Sequence, residues 1–189
     1  MHPNAAFRWT DLPAMRAFAA EVAVAHLFTV GGTAVAHAPI LVQADGSLWF
    51  HLARGNALCA ALVDGAAAVA SLAEPGFYIS ANWYDDPAAS VPTWNYRAVE
   101  VAGTIRRLSQ DELVRQLDGL SALHEARACE DWTRAKMAPD RFAAMLGTIT
   151  GFALEGASWR GTWKMSQNKS RDMRARLEMK AGHPLEQPA

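Results

Sequence analysis

The sequence predicts a mainly β protein with peripheral helices, an antiparallel barrel with the helices attached to its outside. Three observations carry that prediction. Short β-like runs recur between turns rich in Gly, Asp and Pro, helical stretches are few, and strands never alternate with helices as they do in a parallel sheet. At 189 residues, 51% apolar and 20% charged, the chain can bury one sizeable core and has the composition of an ordinary folded domain. The expected organisation is a single domain over residues 1–180, including a C-terminal helix, and a flexible tail at 181–189.

The elements follow in order. Asp11 caps a helix with Pro13 in its first turn, where a missing N–H costs nothing, and Leu12, Met15, Phe18, Ala19 and Val22 fall on one face. Three β-like runs follow at 25–30, 33–43 and 47–53, separated by Gly31-Gly32 and Ala44-Asp45-Gly46, where glycine permits the positive φ of a tight hairpin. Residues 57–63 have helical rather than alternating character before Asp64-Gly65. Residues 66–72 and 77–81 read as a second hairpin around Glu74-Pro75-Gly76, and 96–108 as a long alternating strand. Ser109 and Glu112 form a capping box that starts a helix carrying Leu113, Leu117, Leu120 and His124. A short helix at 140–146 follows Pro139. Residues 149–158 and 161–166 read as a closing hairpin, and 169–180 as a terminal helix.

Charge and cysteine content exclude several classes. With 18 Lys plus Arg against 19 Asp plus Glu, the chain has no overall field that would draw it onto nucleic acid. Its one basic patch runs from Lys164 to Lys180, which suits a solvated helix or salt-sensitive, non-specific DNA contact, and no helix-turn-helix reading head accompanies it. Cys59 and Cys129 fit neither a metal ribbon nor a disulfide framework, so a cytoplasmic setting is expected. Neither a leader-like N-terminus nor a membrane span is read. His37 and His51 lie on strands joined by the Asp45-Gly46 hairpin and are expected near one another, but two histidines without a third ligand make no metal site. Motifs for dinucleotides, nucleoside triphosphates, serine hydrolases and zinc proteases are missing.

The densest chemical signal is residues 77–96, which hold Phe77, Tyr78, Trp83, Tyr84, Trp94 and Tyr96, six of the 17 aromatics in the chain. Average density would place about two there. Ser80, Asn82, Thr93 and Asn95 are interleaved with them, so flat apolar faces and hydrogen-bonding groups mix as a planar heterocycle requires. A core or a dimer interface would use the same aromatics.

The residues Tyr78-Ile79-Ser80-Ala81-Asn82-Trp83-Tyr84 and Val91-Pro92-Thr93-Trp94-Asn95-Tyr96 closely resemble two sequence blocks of the PaiB-like proteins. Trp163-Lys164-Met165-Ser166-Gln167-Asn168-Lys169-Ser170 and His51-Leu52-Ala53-Arg54-Gly55-Asn56 resemble two more, in the expected order. The similarity runs over residues 5–180, and Ala36-His37-Ala38-Pro39 departs from the family's usual Thr-His-Leu-Pro.

The resemblance implies an FMN-binding split barrel, a homodimer with flavin at the subunit interface, in a family named for negative transcriptional regulators. DNA as a partner is implied by that name only. Related split barrels use FMN for electron transfer, so a flavin-dependent oxidoreductase is the alternative reading. A haem- or ligand-binding module is a third.

FMN needs a phosphate clamp, a wall for its ring system and donors along the ring edge. Arg54 offers bidentate donors at a strand end, and Asn56 begins the next segment. Lys164, Ser166, Gln167 and Asn168 suit phosphate or ribityl hydroxyls, or else a polar turn before the last helix. Trp83, Tyr84, Trp94 and Tyr96 are the candidate ring wall, with Ser80, Thr93 and Asn95 at its edge. His51 is either a flavin-edge donor or a polar group of the core.

Overall fold

Eight strands and four α-helices organise the described residues. In order they are β1 (Arg8–Trp9), α1 (Leu12–Val22), β2 (Val24–Thr29), β3 (Val35–Val42), β4 (Leu48–Ala53), β5 (Ala67–Ala73), β6 (Phe77–Ile79), β7 (Thr93–Arg107), α2 (Gln110–Ala128), α3 (Pro139–Leu146), β8 (Ile149–Lys164) and α4 (Arg171–Ala181). The computed structural model describes residues 2–185. The chain divides into two units. The first comprises the described residues of 1–15, 73–100 and 159–189, the second 16–72 and 101–158, and the long strands β7 and β8 contribute residues to both.

The second unit is the barrel. Its strands run in the order β8-β4-β3-β2-β5-β7, and a further β7–β8 pairing closes the ring. The β2–β3, β2–β5, β3–β4 and β4–β8 pairings are antiparallel. Strand alternation sets the register: in β2, Ala25 and Leu27 are buried and Val24, His26 and Phe28 face out. Small inward residues (Ala25, Ala36, Ala38, Ala68, Ala70) leave room for Ile40, Leu48, Phe50, Phe152 and Leu154, and the Phe50 and Phe152 rings stack at 5.5 Å. At the closing seam a Cβ on Gly103 would stand 2.3 Å from the Glu155 carbonyl oxygen, so only glycine fits.

Helix α2 packs against β3 and β4, with Leu113, Gln116 and Leu120 buried. Both bonds of the expected capping box form at its start: Ser109 Oγ accepts the Glu112 N–H and the Glu112 carboxylate accepts the Ser109 N–H. Arg106 joins Glu112 to Glu155 at 2.9 and 2.7 Å. Together with Ser109 this holds the Glu112 carboxyl down at about 2.

In the first unit β1 pairs with the end of β8 and β6 with the start of β7, both antiparallel, and α4 packs on β6. Trp9 meets Trp163 edge to face at 4.8 Å, and Phe7, Ile79, Met173 and Leu177 are buried. Among the described residues no helix is long and apolar enough to cross a membrane.

Four local expectations are corrected. Residues 149–164 form one continuous strand, not a hairpin: Trp159 and Arg160, between the two expected runs, lie within it, and neither has the positive φ of a tight hairpin turn. Strand β6 pairs with β7 instead of with β5, and Gly76, at φ 63°, lies against the Asn95 carbonyl and the Tyr96 Cβ. Residues 57–61 form turns and 62–63 are irregular, with no helix. Leu58, Cys59 and Leu62 are buried, but the run between Asn56 and Asp64 is too short to propagate a helix. His37 lies opposite His26 on β2, ring centroids 4.6 Å apart, while the β3–β4 ladder begins three residues beyond His37. Within the expected tail, Leu185 is buried, its carbonyl accepting from Arg174 and its N–H bonding Glu178; residues 186–189 lie outside the described residues.

Candidate functional site

In the first unit the start of β7, the end of β8 and the turn into α4 surround a cavity of about 320 Å³. Strand alternation brings Thr93 and Asn95 to it from β7 and Lys164 from the last position of β8. Ser166 reaches it because its backbone adopts φ 56°, a left-handed conformation that ends the strand and redirects the chain toward Ser170, the N-cap of α4. Asn168 and Lys169, from the same turn, join them, with Phe7 and Tyr84 as aromatic walls.

Asn95 and Ser166 form the floor. Asn95 is fully buried and Ser166 nearly so, and they exchange hydrogen bonds: Asn95 Nδ2 donates to Ser166 Oγ at 3.0 Å and the Ser166 hydroxyl donates to Asn95 Oδ1 at 3.2 Å. The Lys164 ammonium donates to Thr93 Oγ1. Partial burial pushes the Lys164 pKa below its ordinary value. Lys169 Nζ lies 4.8 Å from the centre of the Tyr84 ring, and burial raises the Tyr84 phenol. Gln167 serves the backbone: its Oε1 accepts the Met165 N–H at 2.8 Å, and its amide donates to the carbonyls of Ala6, at 3.0 Å, and Trp163.

The structure thus brings Tyr84, Thr93, Asn95, Lys164, Ser166 and Asn168 to one cavity. Ser80 caps the 81–83 turn by accepting the Asn82 N–H, and Trp83 is in that turn. Trp94 is 53% exposed and meets Tyr78 at 6.2 Å. Tyr96 packs its Cβ toward Gly76.

The remaining three candidates belong to the second unit. Arg54 lines a cavity of about 250 Å³ with Leu108, Gln110 and Gly151. The Asn56 side chain accepts the Leu58 N–H at 2.9 Å and so shapes the following turn. His51 bonds through Nδ1 to Gln116 Oε1 at 3.0 Å, and burial lowers its pKa from 6.5.

Sequence reasoning passed over Phe7, Lys169 and Gln116. Lys169 stood in the quoted W-K-x-S-Q-N-K-S block, and Gln116 was detectable as a polar residue three and four positions from Leu113 and Leu120, on the buried stripe of α2. Phe7 left no comparable signal, because it belongs to a short 3-10 turn at 5–7.

The polar groups at the first cavity, two ammonium groups, three hydroxyls (Ser90, Thr93 and Ser166), two amides and the His2 imidazole beside aromatic rings, are of the kinds that suit the phosphate and ribityl chain of a flavin mononucleotide. Comparison with known proteins bears on the family and its cofactor. The family described as "Putative FMN-binding domain" matches residues 1–156. The Protease synthase and sporulation protein PAI 2 of Bacillus subtilis (strain 168) is 32% identical over 96 residues, 51% of this chain and 45% of that protein, so the match spans less than half of the relative's length. Among solved structures, the FAD and Heme binding protein from Mycobacterium smegmatis superposes with a TM-score of 0.61 at 16% identity, over 89% of this chain and 78% of that one. The Flavocytochrome Anf3 from Azotobacter vinelandii gives 0.62 at 16% identity, over 93% and 78%. At such identity these two structures speak for the fold alone. On the match of the family model to most of its length, the chain belongs to the PaiB-like family of FMN-binding split-barrel proteins.

Proposed function

We propose that the chain works as a cytoplasmic homodimer that uses bound FMN to regulate gene expression, each flavin taking contacts from both subunits. The observation that carries this reading is the cavity floored by Asn95 and Ser166 and flanked by Lys164 and Lys169, a set of charged and polar donors. Arg54 and Asn56 line or shape a different surface. In a homodimer, Arg54 and Asn56 of one subunit and the Lys164 set of the other engage one flavin, Arg54 acting as the bidentate phosphate partner. Bound FMN supplies a redox-sensitive ring, and the side chains hold and orient it. The name of the Bacillus relative ties that protein to protease synthesis and sporulation, which supports regulation as the output. Two free thiols, Cys59 and Cys129, suit a reducing compartment.

Subunit complementation tests the arrangement. Arg54→Ala and Lys164→Met each weaken FMN binding at least about tenfold. When the two variants are mixed and re-associated, hybrid dimers carry one intact and one doubly impaired site, and half-stoichiometric binding returns. No recovery in verified hybrids refutes a shared site. For the regulatory output, mobility shifts of genomic fragments by FMN-loaded protein are expected to persist at near-physiological salt. Shifts confined to low salt would instead reflect non-specific attraction to basic residues of α4, where Arg174 and Arg176 are already engaged by Leu185 and Asp85.

A further inference from the structure

Helix α2, α3 and the segment between them border a further cavity, of about 240 Å³, in the barrel unit. Its walls are apolar: Leu117, Trp132, Met137, Phe142, Leu146 and Ile149. Trp132, Met137 and Phe142 also line an adjoining groove of about 610 Å³, and Trp132 is 38% exposed, so the cavity has an open side. An apolar hollow of about 150 Å³ already accepts benzene, and this one has the size for a second fused ring.

Of the polar side chains that reach the cavity, Ser121 contributes a hydroxyl, while Asp118, Arg134 and Thr148 are committed. Asp118 and Arg134 pair with each other at 3.0 and 3.1 Å, and the Thr148 hydroxyl donates to the Met145 carbonyl at 2.7 Å. His51 differs. Its Nδ1 faces Gln116 Oε1 at 3.0 Å, which sets the tautomer with hydrogen on Nδ1 and a lone pair on Nε2. Burial favours that neutral form. Gln116 is fully buried, and its amide nitrogen has no hydrogen-bond partner among the described residues. An orphaned buried amide behind a histidine costs stability that packing alone does not require.

We infer that this cavity is a binding site for a small bicyclic aromatic molecule carrying one hydroxyl or ring N–H, which it donates to His51 Nε2. The apolar walls supply affinity, and the imidazole supplies discrimination. A ligand without the donor covers Nε2 and leaves it unpaired, and that difference separates a polar-edged ring from a plain hydrocarbon. The inference takes His51, an alternative flavin-edge donor in the sequence, away from the flavin, and uses none of the residues that line the Asn95–Ser166 cavity.

Calorimetric titration of the FMN-loaded protein with 2-naphthol and with naphthalene, at mildly alkaline pH, tests it. The expected result is that 2-naphthol binds at least about tenfold more tightly, with the flavin spectrum unchanged. His51→Phe is expected to keep naphthalene affinity within about threefold and to lose the preference, while Ser121→Trp, which fills the cavity, abolishes both. Equal affinity for the two ligands, absence of binding, or release of FMN by 2-naphthol would each overturn the proposal. The comparison of the two ligands on the unmodified protein decides the matter even if the His51 variant does not fold. A chain that takes up no FMN yet shows the preference would sink the flavin reading and leave this one standing.

Discussion

In the first unit Asn95 and Ser166 exchange two hydrogen bonds, at 3.0 and 3.2 Å, whereas in the second His51 and Gln116 share a single one, at 3.0 Å, and the Gln116 amide nitrogen has no partner among the described residues. Both pairs hold a fully buried amide, so both pay the cost of taking a polar group out of water. The first pair recovers that cost within itself and gives its cavity a fixed polar floor. The second recovers only part of it and keeps a histidine neutral at the edge of an apolar hollow. Reciprocal satisfaction marks a frame, and partial satisfaction marks a place where a ligand still has something to offer.

The largest break in that comparison comes from Asn95→Leu. It deletes both bonds and leaves the Ser166 hydroxyl buried without a partner, for an expected loss of about 2–3 kcal/mol in urea unfolding. A loss below about 0.5 kcal/mol would mean that the pair frames nothing.

Acidification affects the other pair, and the sign is fixed by burial. The His51 pKa is lower in the folded protein than its ordinary 6.5, so the unfolded chain binds the proton more readily. Stability is therefore unaffected above about 6.5 and declines as pH falls from there toward the folded value. His51→Phe removes that part of the decline. Glu112 acts in a separate window, losing its contribution as pH falls from 4.5 toward about 2, and cannot account for a slope that starts near neutrality.

The smallest effect is expected from Gln116→Leu. It costs His51 one hydrogen bond but also removes the orphaned amide, so the net change in unfolding free energy should stay within about 1 kcal/mol. A loss as large as that of Asn95→Leu would show that Gln116 is as well satisfied as Asn95.

Much of the barrel was legible because period-two alternation and glycine turns act locally. The β2, β3 and β4 runs, the Ser109–Glu112 capping box and the terminal helix all stand within a few residues of expectation. What failed depended on distant partners. Nothing local tells β6 to pair with β7 rather than β5, and Gly76 meets Asn95 and Tyr96 only in the folded chain. The β8 hairpin failed for a different reason: alternation on both sides of Trp159-Arg160 fits one long strand as well as two short ones, and neither residue takes a positive φ. At the site, chemistry outran geometry. The segment 163–170 announced its donors, yet the seating of Lys164 against Thr93, and of Ser166 against Asn95, needs the two strands side by side.

Titration of the apoprotein with FMN, followed by quenching of flavin fluorescence, tests the central claim most directly. The account predicts saturation at one FMN per subunit and a dissociation constant raised at least about tenfold by Lys164→Met. Failure to bind FMN, or binding that Lys164→Met leaves unchanged, would contradict it.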